Sequence, residues 1–159
     1  MNKKRSLKNR KTIVIEWGDC DPAQIVFFPR YFAFFDACAT ALFKKAGLPK
    51  QKAIKKYGII GIPMVAIEAS FRSPSRFSDE VEVVSEITEF RRSSFFVRHQ
   101  LFNKGVLAVE CLETRVWASP SAKNPEKIES TPIPQEVIEK FSRTSQPLKA
   151  SRKRGAGGK

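Results

Sequence analysis

The alternation of apolar and polar residues predicts a short strand, a long apolar helix and then a series of strands. Residues 12–17 are rich in β-branched side chains and end at Gly18, which is typical of a strand. Residues 30–46 are almost continuously apolar, follow Pro29 and stop before Gly47, so we predict a helix there. A helix that is apolar nearly all round is expected to be buried on most faces. The rest of the chain should therefore wrap around it.

The second half of the chain predicts an antiparallel sheet. Strands are predicted at residues 63–71, 79–90, 94–103 and 106–119, and short helices at 49–57 and 134–141. A turn of the Asn-Lys-Gly type joins the last two strands as a hairpin. These elements together indicate an α+β fold, in which an antiparallel sheet packs on one long helix. Because such a sheet has an exposed edge, we expect a homodimer.

The charge distribution divides the chain into a body and two basic ends. The 159 residues carry a net charge of +13, with six Lys or Arg in residues 1–11 and five in residues 149–159. Neither segment contains an acid, and the remainder holds 18 basic and 16 acidic residues. We therefore predict disordered tails at 1–11 and 142–159 around one domain at 12–141. We expect the tails to keep the protein soluble and to bind no specific nucleic acid. The alternative is that they make loose contacts with RNA or anionic surfaces.

The cysteines, the hydropathy pattern and the single histidine indicate where the protein resides and which catalytic groups it can use. Three cysteines without CxxC spacing, and the lack of a signal-peptide or membrane-spanning pattern, predict a reduced, cytoplasmic protein with no membrane partner. The sequence shows no metal-ligand cluster, so we expect no metal. A lone histidine on a strand, here His99, is more often structural than catalytic. Nothing in the sequence marks Cys20 as an activated thiolate.

Two carboxylates, Asp19 and Asp21, lie in the loop before the long helix. The first N–H groups of a helix lack partners and lie at the positive end of its dipole, so those of residues 25–28 could bind a carbonyl oxygen. A carboxylate just upstream could attack the carbonyl carbon or activate a water. We favour Asp21, which is closer to the helix and is followed by Pro22. The alternative is that both acids only cap turns.

Charged residues also stand in two other unusual places. Asp36 interrupts the apolar helix, where an unpaired buried carboxylate would cost on the order of several kcal/mol. It therefore lies either on a solvent-exposed side of the helix or in a ligand pocket. Arg91 and Arg92, with Ser94 nearby, connect two strands and could bind phosphate oxygens, although a solvated turn would look the same.

Three segments together resemble the 4-hydroxybenzoyl-CoA thioesterase family. They are GDCDPAQIVFFPRY at 18–31, GIIGIPMV at 58–65 and EFRRSSFFVRH at 89–99. The resemblance implies a hotdog fold, in which a five- or six-stranded antiparallel sheet wraps around the long helix. It also implies homodimers, often paired as dimers of dimers, with active sites at subunit interfaces. The implied activity is hydrolysis of an acyl-CoA thioester, with no metal or organic cofactor.

The resemblance also implies roles for individual residues. Asp21 matches the catalytic carboxylate, and the backbone N–H of Phe28 matches the donor that polarises the thioester carbonyl. Asp36 matches a residue that contacts the aromatic acyl group. The positions that match the binding site for the nucleotide and phosphates of coenzyme A are Arg91, Arg92 and Ser94.

The sequence departs from the family pattern near the expected substrate. Gln24 stands where the family usually has Gly, Phe28 replaces a Tyr, and Ile62 replaces a Thr of the acyl pocket. Without that hydroxyl, we expect a less polar aryl group such as benzoyl. The sequence does not choose between a nucleophile and a general base at Asp21. A non-catalytic hotdog domain that binds acyl-CoA, or contacts RNA through its tails, is the alternative function.

Overall fold

The computed structural model describes residues 5–143. Three helices lie in this range: α1 (Phe28–Lys45), α2 (Lys50–Tyr57) and α3 (Gln135–Lys140), with a 3-10 turn at Trp17–Asp19. The strands are β1 (Arg5–Ser6), β2 (Lys8–Val14), β3 (Met64–Phe71), β4 (Glu80–Phe90), β5 (Ser94–Asn103), β6 (Val106–Val116), β7 (Ala118–Pro120), β8 (Ile128–Ser130) and β9 (Ser142–Arg143). No helix within residues 5–143 is long and apolar enough to cross a lipid bilayer.

Five strands form one antiparallel sheet in the order β2-β4-β5-β6-β3. The α+β arrangement expected from the sequence is therefore observed. The long strands begin and end within a few residues of their predicted bounds, because their period-2 alternation marks both faces of the sheet. Two small antiparallel pairs, β1 with β9 and β7 with β8, extend the fold beyond this sheet.

Helix α1 packs on one face of the sheet and forms the centre of the core. Its side chains Phe35, Cys38 and Leu42 face the sheet and are fully buried. The opposite side of the helix is exposed along a stripe that comprises Ala33, Asp36, Ala37, Thr40 and Lys44. The prediction that this helix is buried on most faces is therefore wrong for the single chain, because the sheet covers only one side of it.

The N-terminal strand begins earlier than the sequence indicated. We placed a disordered tail at 1–11, whereas β2 starts at residue 8 and pairs with β4. Its basic side chains meet acids across the ladder: Arg10 Nη1 donates to Glu82 Oε1 at 2.7 Å. Such cross-strand charge pairs stabilise a basic segment as a strand. The structure thus corrects the predicted boundaries for residues 5–11 and for residues 142–143, which form β9 against β1, and residues 1–4 and 144–159 lie outside the described range.

Candidate active site

The chain between β2 and α1 forms a compact loop that fixes Asp21 ahead of the helix. A single antiparallel bridge joins Cys20 to Val26. Inside this bridge, the N–H of Asp21 donates to the carbonyl of Ile25 at 3.0 Å, and the N–H of Gln24 donates to the carbonyl of Asp21 at 2.8 Å. These bonds close a tight turn, so the position of Asp21 is set by the backbone around it.

The first acid of the loop, Asp19, is a structural residue. It is only 3% exposed. Its Oδ2 accepts from the N–H of Glu16 at 2.9 Å, and its Oδ1 accepts from Arg30 Nε at 2.8 Å. Its carbonyl accepts from the N–H of Phe27 at 2.8 Å. Asp19 thus ties the loop to the first turn of α1, and both of its carboxylate oxygens are engaged.

The second acid, Asp21, keeps one oxygen available. Its side chain is half-buried, and its Oδ1 accepts from the N–H of Ala23 at 2.8 Å. Within residues 5–143, its Oδ2 accepts no hydrogen bond and no basic side chain pairs with it. The alternative that both acids merely cap turns therefore accounts for Asp19 and for one oxygen of Asp21.

The mouth of α1, which we define as residues 25–28, presents two unengaged donors. The N–H of Val26 donates to the carbonyl of Ser75 at 2.9 Å, and that of Phe27 donates to the carbonyl of Asp19 at 2.8 Å. The N–H groups of Ile25 and Phe28 have no acceptor in the described part of the chain. The sequence analysis considered all four groups as donors to a carbonyl oxygen, and only these two have no acceptor in residues 5–143.

The N–H of Phe28 is the free donor at the first residue of α1. Pro29 follows it and has no N–H, and the N–H of Arg30 turns back to the carbonyl of Phe27 at 2.8 Å. Because the helix dipole places partial positive charge at these groups, a free N–H here favours a developing negative charge. The side chain of Phe28 is 57% exposed, so its ring is not part of the core.

A cleft of about 310 Å³ opens beside the mouth of α1. Its lining is mostly apolar and comprises Ile25, Val26, Phe28, Tyr31, Phe71, Arg72, Ser73 and Pro74. The rings of Tyr31 and Phe71 lie 5.7 Å apart and form one wall. A cleft with this size and lining fits a small apolar or aromatic group.

Asp36 lies on the exposed stripe of α1, yet its carboxylate is firmly held. Arg115 Nη2 donates to its Oδ1 at 2.9 Å, and Lys50 Nζ lies 3.4 Å from the same oxygen. Partial burial disfavours the charged carboxylate, but the hydrogen bond from Arg115 and the charge of Lys50 outweigh it and lower the pKa of Asp36. Asp36 is therefore an ionised group that can only accept hydrogen bonds.

The side chain of Ile62 is buried in the core, where it is 8% exposed. It belongs to the same apolar cluster as Leu48 and Trp117. Its carbonyl oxygen, by contrast, faces Arg115, whose Nη1 lies 3.5 Å away. The Ile62 side chain thus packs in the core of this chain, and its expected contact with an acyl group stays a prediction.

Arg91 and Arg92 are exposed in the turn between β4 and β5, and Ser94 begins β5. Arg91 Nε donates to Glu89 Oε1 at 3.0 Å, and its guanidinium lies 4.7 Å from the centroid of the Phe96 ring. Strand β4 has 11 residues, so this turn lies about 35 Å from the mouth end of the sheet. Within one chain, these side chains and the mouth of α1 are not brought together.

The edge strand β3 is exposed and apolar. Within the described chain it pairs only with β6, so one row of its backbone groups has no strand beside it. Val65 is 61% exposed and Ile67 is 40% exposed. An unprotected apolar edge of this kind is typical of a strand that pairs with another chain.

Other potential nucleophiles are less suitable than Asp21. Burial raises the pKa of Cys38 to about 11 and that of Cys111 to about 12, so neither thiol ionises near neutrality. His99 is fully buried under α1. No group of three or more His, Cys, Asp or Glu side chains between residues 5 and 143 is arranged to hold a metal ion.

A sequence model of one protein family, the Thioesterase-like superfamily, matches residues 15–141. This range includes the loop, the mouth of α1 and four of the five strands of the sheet, and only β2 lies outside it. The chain belongs to the thioesterase-like superfamily. The predicted class, a thioester hydrolase of the 4-hydroxybenzoyl-CoA thioesterase family, is thereby confirmed at the level of the family.

Individual relatives agree with this superfamily. The 4-hydroxybenzoyl-CoA thioesterase of Pseudomonas sp. strain CBS-3 is 35% identical over 131 residues, which cover 79% of this chain and 91% of that protein. Its structure has a TM-score of 0.75 at 32% identity and covers 84% of this chain and 98% of that one. A gentisyl-coenzyme A thioesterase of known structure has a TM-score of 0.71 at 30% identity and covers 82% and 99%. The predicted hotdog fold is confirmed.

The loop of this thioesterase-like chain contains an unusual backbone conformation at Gln24. Its φ is 63°, in the left-handed region that glycine adopts most easily. The departure from the family's usual Gly therefore costs conformational energy in the turn that carries Asp21.

Sequence reasoning missed two groups of residues. Phe71 and Arg72 at the cleft come from the end of β3, which the motif at the loop does not reveal. Arg115, which holds Asp36, and the buried Glu113 next to it were also missed. Glu113 and Arg115 lie on the helix-facing side of β6 together with Cys111. Because side chains alternate between the two faces of a strand, the apolar Cys111 could have indicated that Glu113 and Arg115 are charges on the buried face.

Proposed function

We propose that the protein hydrolyses an aryl acyl-CoA thioester to the free acid and coenzyme A. The observation that carries the proposal is the unengaged Oδ2 of Asp21 in a loop that leads to the free N–H of Phe28. The apolar cleft beside this N–H supports a small aromatic acyl group. Two relatives at 30–35% identity bear the names of aryl-CoA thioesterases, which supports the same class of substrate.

The proposed chemistry uses the carboxylate and the helix dipole. The thioester oxygen binds at the mouth of α1, where the N–H of Phe28 stabilises the negative charge that develops on it. Asp21 then attacks the carbonyl carbon, the C–S bond breaks and coenzyme A leaves as a thiolate. Water hydrolyses the resulting mixed anhydride and regenerates Asp21. Alternatively, Asp21 takes a proton from a water that attacks directly.

Neither route calls on a metal or an organic cofactor. A thiolate is a good leaving group, so little acid assistance is needed for C–S cleavage. The expectation that the enzyme works without such a group follows from this chemistry and stays a proposal.

We propose that a second copy completes the site. Pairing of two β3 edges around a two-fold axis makes the strands antiparallel, so the mouth end of one chain lies beside the opposite end of the other. Asp36 of one chain would then approach the acyl group held by the other chain. The coenzyme A phosphates would meet Arg91, Arg92 and Ser94 in the same way. The dimers would pair further as dimers of dimers.

The acyl group that this site favours is a hydroxylated ring. The sequence favoured a less polar ring because Ile62 lacks a hydroxyl, but the Ile62 side chain is only 8% exposed in this chain, so we give more weight to Asp36. Asp36 is exposed, and its carboxylate only accepts hydrogen bonds. A ring hydroxyl would donate to it, whereas benzoyl would leave it without that partner.

A hydrolysis panel tests the proposed function. Release of free thiol would be followed with 4-hydroxybenzoyl-, benzoyl-, short-chain and long-chain acyl-CoA. We expect the aryl substrates to have the highest kcat/KM, and 4-hydroxybenzoyl-CoA to exceed benzoyl-CoA. Turnover confined to long-chain substrates would refute the aryl assignment. Tight binding of acyl-CoA without thiol release would favour the non-catalytic alternative.

A further inference from the structure

A connected set of polar side chains crosses the helix-facing side of the sheet beneath α1. Ser85 on β4 lies opposite His99 on β5, and its Oγ is 2.7 Å from His99 Nδ1. His99 stacks on Phe35 of α1, with ring centroids 5.0 Å apart. On the next strand, Glu113 Oε2 lies 3.4 Å from His99 Nε2. The proposed reaction uses none of these groups.

The set ends at Arg115, whose guanidinium reaches three separate oxygens. Its Nε donates to Glu113 Oε2 at 2.7 Å, its Nη2 to Asp36 Oδ1 at 2.9 Å, and its Nη1 lies 3.5 Å from the carbonyl of Ile62. The side chain of Arg115 is 4% exposed and that of Glu113 is fully buried, whereas that of Asp36 is 54% exposed. A buried arginine therefore links a buried carboxylate to one at the surface.

The contacts on either side of Arg115 differ in rigidity. Glu113 is enclosed between two strands and α1, so it fixes the Nε side of the guanidinium. Burial disfavours a charge on Glu113, but contacts from His99 and Arg115 outweigh burial and lower its pKa. Because a guanidinium is planar, a fixed Nε also fixes the direction of Nη2 toward Asp36. The orientation of the exposed carboxylate is thus determined from inside the core.

We propose that Arg115, anchored by Glu113, is a positioning residue that sets the selectivity for the ring substituent by holding Asp36 in one orientation. The proposal rests on the proposed function, in which Asp36 contacts the acyl ring. Arg115 itself does not touch the reacting atoms. Its role is to direct a carboxylate on an exposed helix face whose other basic contact in the described chain is Lys50 Nζ at 3.4 Å, and to tie the carbonyl of Ile62 to the same point.

The test must remove the positioning without leaving a buried charge. Replacing Arg115 alone would leave the Glu113 carboxylate buried without its partner and would destabilise the fold. Replacing both members of a buried pair is tolerated far better. The informative variant is therefore Glu113→Gln combined with Arg115→Met. Glu86→Gln combined with Arg98→Met is the control, because it removes a carboxylate–guanidinium pair, which is more exposed, from the opposite face of the sheet, away from Asp36.

The measured quantity is the ratio of kcat/KM for 4-hydroxybenzoyl-CoA to that for benzoyl-CoA. We expect the Glu113/Arg115 variant to lower this ratio by about tenfold, which corresponds to the loss of one well-directed hydrogen bond to a charged group. The control variant should leave the ratio unchanged. In an Asp36→Ala background, the Glu113/Arg115 substitutions should change the ratio by less than about twofold, because the group they position is gone.

A purely structural role for Arg115 would give different results. It would lower kcat/KM for both substrates equally, or change the ratio equally with and without Asp36, and either outcome overturns the proposal. Arg115→Lys, which keeps the charge but not the planar fork, should reproduce the loss of selectivity. Absence of hydrolysis of either aryl-CoA by the unaltered enzyme refutes the proposed function itself and the role of Arg115 with it.

Discussion

The carboxylates at the mouth and in the middle of α1 differ in how many of their oxygens are bound by other groups of the chain. At the mouth, Asp21 has an oxygen without a partner in the described chain, and the N–H of Phe28 has no acceptor. In the middle, Asp36 is bound by Arg115 and Lys50, although it lies on the exposed side of the helix. Under the proposed function, this difference separates groups that change partners during the reaction, which stay unengaged, from groups that only recognise the substrate, which are fixed.

Replacing Asp21 should have the largest effect. We expect Asp21→Asn to lower kcat by about a thousandfold, because an amide neither attacks a carbonyl nor activates water well. Binding of acyl-CoA, followed by calorimetry, should change little. Single-turnover thiol release gives the measurement, and an unchanged kcat would remove Asp21 from the mechanism.

Replacing its neighbour should affect stability instead of chemistry. Asp19→Asn weakens the part-buried contacts to Glu16 and Arg30, and we expect a loss of about 2 kcal/mol in the free energy of unfolding. Urea unfolding measures this loss. The folded variant should retain its kcat within a few-fold. A stable Asp19→Asn variant without activity would reverse the roles assigned to the two acids.

Acid should lower the stability of the protein through Glu113, the β6 residue that anchors Arg115 under α1. Its pKa is lower in the folded protein than the ordinary value of 4.5, so its contribution is present above that pH and is lost as the pH falls toward the folded-state value. We expect Tm to fall below about pH 4.5, and to fall less steeply in the Glu113→Gln/Arg115→Met variant. Identical Tm profiles for the two proteins would show that this buried pair has no part in acid sensitivity.

The smallest effect concerns the turn that carries Asp21. Relief of left-handed strain at residue 24 is worth about 1–2 kcal/mol, and the extra freedom of unfolded glycine offsets about 0.4–1 kcal/mol of it. We expect Gln24→Gly to stabilise the protein by about 0.5 kcal/mol in urea unfolding. Gln24→Val, with a branched side chain in the same conformation, should destabilise it. A destabilising glycine would mean that the Gln24 side chain contributes contacts of its own.

The elements that were predictable are those with a local cause. Strands β3 to β6 follow from alternation, and α1 follows from a proline start and a glycine stop. Asp21 could be chosen because its neighbours in sequence are also its neighbours in space.

The features that sequence did not reveal depend on distant partners. Arg115 and Asp36 are 79 positions apart, and no local pattern links them. The basic segment at residues 8–11 became a strand because its charges pair with β4. Arg91 and Arg92 lie at the opposite end of the sheet, so their predicted role depends on a second copy.

Phe28 allows the most direct test of the account, in which the free N–H at the mouth of α1 stabilises the oxyanion. Phe28→Pro removes this N–H at a position where proline suits the helix start, and Phe28→Ala removes the ring but keeps the N–H. With both variants folded to the same Tm, we expect Phe28→Pro to have a kcat about 100- to 1,000-fold below that of Phe28→Ala. Equal kcat values for the two variants would contradict the account.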